Sequence, residues 1–348
     1  MQHDTTLIAC IEAGPLEANT LRLFQSVRRH GGTLANAPAV AVIPRLGLPL
    51  SGRTRRMLDE LDVDVVQCGT YRRYGWYHLL NKVVGLATLE RTLKTDQLTF
   101  LDSDTLMCRE GGGLLLREGA DVAACCPDDG VVGSSREGDP YHPAWRQACE
   151  VLGVDVNELP MIPRCDGGPD ICLYLNTGVF SYRRETQLAN AWLGDCIKLL
   201  DAHVGFGRFG EHWLEQACFG LTLHRLGLKL TLLDESANYA LRDADGCYTA
   251  SGRVPADAVT MLHYHKAMHA AHWPRLLDLL EADWPQLASW LAPLGPVVAD
   301  HRSLPTRMLG EGLRAVRGVP RKRWRTRAAK IATRSVGFDS GLYPRWAT

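Results

Sequence analysis

The feature that most constrains the fold is a repeated alternation between short apolar runs and longer segments with helical spacing. The apolar runs 7–13, 39–43 and 98–101 have the length of buried strands, whereas 17–30 and 79–93 carry apolar residues at intervals of three and four. The same signals predict a strand over 171–182, interrupted at 176–178, and helices over 210–226 and 273–291. This alternation is typical of a parallel sheet covered by helices. The sequence therefore predicts an α/β protein with a central, mostly parallel sheet flanked by helices.

Length and charge suggest how the chain is organised. Its 348 residues, 46% hydrophobic and 22% charged, suit a globular protein with a substantial core. We predict one domain over residues 1–270 and a helical, basic C-terminal extension over 271–348. Residues 301–348 contain twelve Lys or Arg and two acids, a net charge of +10, which leaves −10 on the rest of the chain.

The basic tail has apolar residues interleaved with its arginines, a pattern of helices that lie on anionic membrane surfaces. We predict peripheral contact of residues 301–348 with such a surface. Binding to another polyanion and packing on the acidic body are the alternatives. No nucleic-acid partner is expected.

Cysteine usage and hydropathy bear on the compartment. The eleven cysteines form no CxxC pair, which favours reduced thiols over a zinc or disulfide framework. The first residues include Asp4 and no apolar signal-peptide core, and no run approaches the ~18 apolar residues of a membrane-spanning helix. We expect a cytoplasmic protein that at most attaches to a membrane surface.

The chain contains three D-x-D triplets, at 62–64, 102–104 and 243–245. The first begins a predicted strand and the third lies in a Gly-containing turn, so both read as solvated carboxylates. Asp102 and Asp104 instead follow an apolar strand, at the sheet edge where ligands collect in open α/β folds. Alternate residues project the same way, so this pair predicts a site for Mn²⁺ or Mg²⁺. A capped strand end is the structural alternative.

Three motifs in this order carry a family resemblance: Thr99-Phe-Leu-Asp-Ser-Asp-Thr105, Asn176-Thr-Gly-Val-Phe180 and His263-Tyr264. The chain resembles GT-A type glycosyltransferases, especially the retaining ones, over roughly residues 7–266. The resemblance implies a single Rossmann-like GT-A domain and a metal-dependent transfer of sugar from a nucleotide-sugar donor, with a UDP-sugar and retention of configuration favoured. The acceptor, whether glycan, lipid-linked or protein, is not identified.

The resemblance also implies a metal-ligand set. Asp102 and Asp104 would hold a metal that bridges the donor's diphosphate, and His263 would complete the coordination. His265, two residues on along the predicted strand, is an alternative or supporting ligand. A purely structural histidine at 263 is the competing interpretation.

Further residues receive roles from the same resemblance. Asn176 and the pair Glu215-Gln216, which stands where the family more often has Asp-Gln, are placed near the reacting sugar. Glu215 also shares a predicted helix face with Glu211, so a solvated face is the alternative. The remaining contacts to the donor are assigned to Ala9, Ile11, Glu12, Lys82, Ser103, Thr177 and Lys266.

Two other functions fit parts of the pattern. A sugar nucleotidyltransferase shares the architecture and the metal carboxylates, but typically has a glycine-rich, basic loop after its first strand. Residues 12–17 here carry two acids and a proline instead. A non-catalytic nucleotide-sugar-binding protein of the same fold is the third hypothesis, and three ligand-type residues at one site argue against it.

Overall fold

The computed structural model describes residues 5–69, 73–244, 247–249, 251–297 and 303–335. In chain order its strands are β1 (Thr5–Cys10), β2 (Ala39–Ile43), β3 (Val63–Gln67), β4 (Gln97–Leu101), β5 (Thr105–Met107), β6 (Val122–Cys125), β7 (Met161–Ile162), β8 (Ile171–Cys172), β9 (Asn176–Arg183), β10 (Leu230–Leu233), β11 (Tyr239–Ala240), β12 (Arg242–Ala244), β13 (Cys247–Thr249) and β14 (Met261–His263). Its α-helices are α1 (Pro15–His30), α2 (Gly52–Glu60), α3 (Leu80–Thr92), α4 (His142–Leu152), α5 (Leu188–Asp201), α6 (Leu214–Leu226), α7 (Trp273–Asp283), α8 (Pro285–Leu291) and α9 (Leu304–Ser335).

Within the described residues a central sheet has the strand order β10-β6-β9-β4-β1-β2-β3. Only β9 among these strands runs antiparallel to its neighbours, β4 and β6. Strands β2 and β4 are buried at every position, and β2 is apolar along its whole length, as a sheet covered on both faces requires. The predicted α/β class with a mostly parallel sheet is confirmed.

Alternate residues of β1 show how the two faces are covered. Ile8 packs in a cluster with residues of α3 to α6, including Trp192, whereas Leu7 packs in a second cluster with Phe24 of α1 and Leu58 of α2. Successive strand residues point to opposite faces, so one strand serves both clusters. The helices therefore hold the central sheet rigidly between them.

A small sheet of β11, β14 and β5 extends from the edge of the central sheet. β5 begins immediately after Asp104, and β14 pairs antiparallel with it, with His263 opposite Thr105. The backbone N–H of Tyr264 donates to the carbonyl of Asp104 at 3.1 Å. This pairing brings residues 261–265 to the acidic loop, residues 102–104 between β4 and β5, although they are about 160 positions away in sequence.

Several element boundaries differ from the sequence predictions. The strand predicted over 171–182 is divided, and β9 starts at Asn176, so the Asn-Thr-Gly motif opens a strand and does not interrupt one. The helix predicted from Gly210 begins at Leu214, because Gly210 adopts a φ of 59° that no helix contains. The prediction that Glu211 and Glu215 share a helix face is therefore wrong.

The C-terminal part is helical, as predicted. The helix predicted over 273–291 divides into α7 and α8 at Pro285, whose ring and missing N–H prevent helix continuation. Both helices pack on residues of the small sheet, including Tyr239 and Leu262. Among the described residues no helix has the length and apolar character needed to cross a membrane. The boundary at residue 270 stays a prediction.

Candidate active site

The acidic loop between β4 and β5 is fixed by backbone hydrogen bonds to neighbouring elements. The N–H of Asp102 donates to the carbonyl of Gly178 at 2.7 Å, which ties the loop to the start of β9. Thr105 closes the turn by donating its hydroxyl to the carbonyl of Asp102 at 2.7 Å. Ser103 is buried, and its carbonyl accepts the hydroxyl of Tyr264 at 3.3 Å. The carboxylates of Asp102 and Asp104 are thus carried by a rigid turn.

Asp104 lies against two histidines. Its Oδ1 is 3.3 Å from Nε2 of His263, and the rings of His263 and His265 have centroids 4.1 Å apart. The three residues each offer a ligand atom, and these atoms all lie within 4.8 Å of one another. β14 ends at His263, so His265 is not on the same strand face as predicted; its φ of 49° turns the chain and returns the ring to His263.

A hydrogen bond from the ring nitrogen that faces away from Asp104 sets the orientation of His263. Its Nδ1 donates to Oδ1 of Asn238 at 3.1 Å, which leaves Nε2 directed at Asp104. Gly178 gives the ring room, because a Cβ there would lie 3.2 Å from both the His263 ring and the Asn238 amide. A polar group that fixes the second ring nitrogen is the usual partner of a metal-binding histidine.

Charges within this cluster alter the pKa values of its members. Burial alone would raise the pKa of Asp104, but His263 and then His265 outweigh it and lower that pKa to about 2. For His263 burial opposes the charged form, and the neighbouring Asp104 prevails and raises the pKa. Burial, followed by the charge of His263, lowers the pKa of His265 to about 4. At neutral pH the cluster offers a carboxylate and a neutral imidazole.

A carboxylate and two imidazoles within reach of one point fit a divalent transition ion such as Mn²⁺, whereas Mg²⁺ prefers oxygen ligands alone. Asp102 stands outside this group of three, since its Oδ2 lies 3.2 Å from Nζ of Lys82. The charges of Asp104 and His263 nonetheless affect its pKa, which burial raises. The three predicted ligands therefore occupy one region, and His265 joins them.

Lys82 of α3 connects the acidic loop to the start of β9 and to α6. Its Nζ donates to Asp102 and to both the carbonyl and the hydroxyl of Thr177, at 3.1–3.2 Å, and lies 3.8 Å from Oε1 of Glu215. Burial disfavours the charged form of Lys82, but Asp102 and Glu215 together raise its pKa. A buried ammonium thus sits beside the candidate metal site.

Glu215, near the start of α6, has only 1% of its side chain exposed. One oxygen accepts the N–H of Gln216 at 2.7 Å, and the other accepts the hydroxyl of Thr177 at 3.4 Å. Burial raises the pKa of Glu215 to about 7 even though Lys82 opposes the rise. The side chain is therefore not on a solvated helix face, and Gln216 beside it is buried as well.

The end of β1 presents a second polar group. Glu12 accepts hydrogen bonds from Arg45 at 2.7 and 2.9 Å and from the amide of Asn81 at 2.8 Å. The side chains of Ala9 and Ile11 are fully buried in the core, so only their backbone faces this edge. The parallel pairing of β1 with β4 puts Glu12 on the same edge of the sheet as Asp102.

The remaining predicted residues flank this region. Asn176 accepts the N–H of Gly178 at 2.8 Å and donates to Asp128 at 3.2 Å. Lys266 is exposed just beyond His265. Of the other two D-x-D triplets, Asp64 lies within β3, at the far side of the sheet, and Asp245 is outside the described residues.

Sequence reasoning missed Asn238, Asp128 and Tyr77. Tyr77 donates to the carbonyl of His212 at 3.2 Å and accepts the N–H of Glu215 at 3.1 Å, so it fixes the start of α6. Asn238 belongs to a short 3-10 turn and Asp128 to a loop rich in Gly and Pro. These residues stand in no motif, and only the fold brings them to the site.

Comparisons with known proteins give one family match and two similar solved structures. Residues 7–227 match the family described as the Rhodobacterales glycosyltransferase domain. The apo crystal structure of mouse xyloside xylosyltransferase 1 is similar, with a TM-score of 0.43 and 15% identity, over 75% of this chain and 97% of that one. The apo structure of the bifunctional glycosyltransferase WbbM has a TM-score of 0.45 and 13% identity, over 82% of this chain and 51% of that one. No curated protein matches the sequence.

Proposed function

Because the chain belongs to the Rhodobacterales glycosyltransferase domain family, we propose that it is a metal-dependent enzyme that takes its sugar from a UDP-sugar and retains the anomeric configuration. The single observation that carries the proposal is the cluster of Asp104, His263 and His265 beside Asp102 at the sheet edge. Family membership favours sugar transfer over nucleotidyl transfer and over mere binding.

The proposed metal site uses Asp104 and His263, with His265 and Asp102 as further ligands. A divalent cation bound there would act as a Lewis acid toward the charge that develops on the departing diphosphate. Its donor set favours Mn²⁺ over Mg²⁺. Asn238 keeps the His263 ring in place, so little reorganisation is needed when the ligand atoms are used.

Lys82 and Glu215 are proposed to stabilise the charges that develop at the reacting centre. Lys82 orients the Asp102 carboxylate and adds a positive charge close to where the diphosphate would lie. Glu215 is 1% exposed, and both of its oxygens accept hydrogen bonds. A buried carboxylate of this kind suits stabilisation of positive charge at the anomeric carbon, the role that we assign to it in a retaining transfer.

The nucleotide is proposed to lie along the ends of β1 and β4. Glu12, held by Arg45 and Asn81, offers a carboxylate to a ribose hydroxyl, and the exposed Lys266 can meet a phosphate. Asn176 and Gln216 are proposed to contact the sugar. The acceptor would be selected by the loop at 127–169 and by the C-terminal third of the chain.

The proposal is tested by screening UDP-sugars for hydrolysis in the presence of Mn²⁺, since many transferases slowly pass sugar to water. We expect at least one UDP-sugar to be hydrolysed, and Asp104→Asn to lower that rate by roughly 100-fold or more. The thermal unfolding temperature of this variant without nucleotide should fall only slightly, through loss of the Asp104–His263 pair. A large loss of stability would instead assign Asp104 a structural role.

Coupling between metal and nucleotide separates an enzyme site from a simple binding site. UDP should raise the unfolding temperature much more with Mn²⁺ than with chelator, because a cation held by Asp104 and His263 would add attraction for the diphosphate. His263→Ala should weaken this coupling more than His265→Ala, because Asn238 holds the His263 ring with its Nε2 directed at Asp104. The reverse ranking would make His265 the principal ligand, and UDP binding indifferent to metal would contradict the proposal.

A further inference from the structure

The long helix α9 is attached to the body of the protein by contacts that lie along one side. Arg321 and Arg325 bind the two oxygens of the fully buried Glu211, each at 2.6 Å. Trp324, which lies between these two residues in sequence, is buried and donates its indole N–H to the carbonyl of Leu200 at 2.7 Å. One turn earlier, Arg317 donates to the carbonyl of Leu46. At 3.6 residues per turn these contacts fall on one side of the helix.

The opposite side of the first half of α9 is apolar and exposed. Counted at 100° per residue, its large apolar side chains fall within one half of the helix circumference, and the charged residues between 304 and 320 fall in the other half. We call this surface the outer face of α9. It comprises Leu304 (66% exposed), Met308 (63%), Leu309 (57%), Leu313 (37%), Val316 (71%) and Val319 (52%).

The same side of the helix changes character after Pro320. Lys322, Arg323 and Arg327 project on the side of the outer face and are exposed. The exposed side of α9 is therefore apolar over about four turns and basic over the turns that follow. A helix with this layout has an apolar surface to bury and adjacent positive charges to neutralise.

We propose that the outer face of α9 binds an anionic lipid bilayer, with Lys322, Arg323 and Arg327 meeting the headgroups. An apolar helix face sinks to the level of the acyl chains while long basic side chains reach back to the phosphate region. Charge complementarity selects this partner, because residues 301–348 carry a net charge of +10. A nucleic acid would pair with the basic side chains but leave the apolar half of the helix in water.

The experiment is flotation of the full chain with vesicles of phosphatidylcholine containing 30% phosphatidylglycerol, compared with pure phosphatidylcholine, in the absence of sugar donor. We expect capture by the anionic vesicles only, with a marked loss at 0.5 M salt. Lys322→Glu/Arg323→Glu/Arg327→Glu should reduce partitioning by at least about 100-fold, since the loss of three positive charges alone, at roughly fivefold each, gives that factor and each glutamate adds repulsion. Equal capture by both vesicle types would overturn the proposal.

A matched control carries the same charge change elsewhere. Arg91→Glu/Lys94→Glu/Arg117→Glu changes three exposed basic residues that precede β4 and β6, at the amino ends of these strands. This variant should bind vesicles like the wild type. If it loses binding equally, total charge and not the helix is responsible.

A second variant, Leu309→Asp/Val316→Asp, tests the apolar half of the face. Both residues are exposed, so the thermal unfolding temperature should stay unchanged while vesicle capture is lost. Retained capture would contradict membrane binding. If capture is retained, and size-exclusion chromatography shows a dimer for the wild type and a monomer for this variant, the face is assigned to self-association. UDP-sugar hydrolysis is measured separately, so failure of either proposal is recognisable by itself.

Discussion

Glu215 is a carboxylate that the fold keeps out of water, and its environment makes its charge sensitive to pH near neutrality. Lys82 and the N–H of Gln216 favour the anion, while burial and the charge of Asp102 favour the protonated form. Tyr77, 3.5 Å away, is the other titratable group in contact, and its own pKa lies well above 10. Burial has the largest effect and raises the pKa of Glu215 to about 7, so the protonated and the ionised side chain are both populated near neutral pH.

We therefore predict that Glu215→Gln abolishes the rise in transfer rate with pH that the wild type shows around pH 7. The carboxylate must be ionised to stabilise positive charge at the anomeric carbon, so the wild-type rate should climb through that pKa. The variant should be slower at pH 8 by roughly 100-fold and flat between pH 6 and 8. The measurement is kcat/KM against pH.

Stability gives an independent check on the same group. The folded state holds the Glu215 proton up to about pH 7 while the unfolded chain releases it near 4.5, so this residue lowers the free energy of unfolding as pH rises across that interval. Glu215→Gln should remove that part of the pH dependence in denaturant titrations. An unchanged pH profile in both assays would contradict a raised pKa.

At the scale of single residues, the sequence predicts those members of the site that stand in motifs. Asp104 and His263 come together as expected because a strand end and a late strand meet at one edge of the sheet. Asn238 and the exact position of His265 were not predictable, since one depends on a short 3-10 turn and the other on a left-handed backbone at a non-glycine residue. Such local geometry is decided by tertiary packing.

At the scale of elements, the approach of α6 to the segment before β9 depends on one glycine. A Cβ on Gly220 would lie 1.8 Å from the carbonyl oxygen of Leu173, a backbone atom that cannot rotate away. Gly194 in the neighbouring helix α5 has no heavy atom within 4 Å of its Cβ position. The two helices thus contain glycines for different reasons, one for close packing and one without any steric need.

Gly220→Ala should destabilise the protein by about 3 kcal/mol, because α6 and the 171–175 segment must separate. Gly194→Ala, the matched control, should stabilise it by about 0.5–1 kcal/mol, as alanine is the better helix former. Chemical denaturation of the two variants measures both values. Similar stabilities for the two would show that α6 does not approach Leu173 this closely.

Element types were predictable from apolar periodicity, and element ends were less so. The start of α6 is set by a positive φ at Gly210 and by the hydrogen bond from the Glu215 N–H to Tyr77, 138 residues away in sequence. No periodic signal in 210–226 contains that contact. The division at Pro285 is the opposite case, because proline chemistry in the sequence accounts for it.

At the scale of the whole molecule, the two apolar clusters on either face of the central sheet also contain most of the cysteines. Six of the described cysteines are buried, five in the cluster with α3 to α6 and Cys125 in the cluster with α1 and α2. Burial raises the pKa of most of them, including Cys149 to about 12. The sequence predicts reduced thiols from the absence of CxxC pairs, and the ten cysteines whose side chains the structure describes are free.

Thiol reactivity should therefore report the integrity of the core. A chromogenic disulfide reagent reacts with thiolates, so at pH 8 the native protein should react quickly at no more than about five of its eleven cysteines, the number left when the six buried ones are set aside. In guanidinium chloride without reductant all eleven should react. Fewer than eleven under denaturing conditions would mean that disulfides are present, and rapid reaction of most thiols in buffer would mean that the helices do not seal the two faces of the sheet.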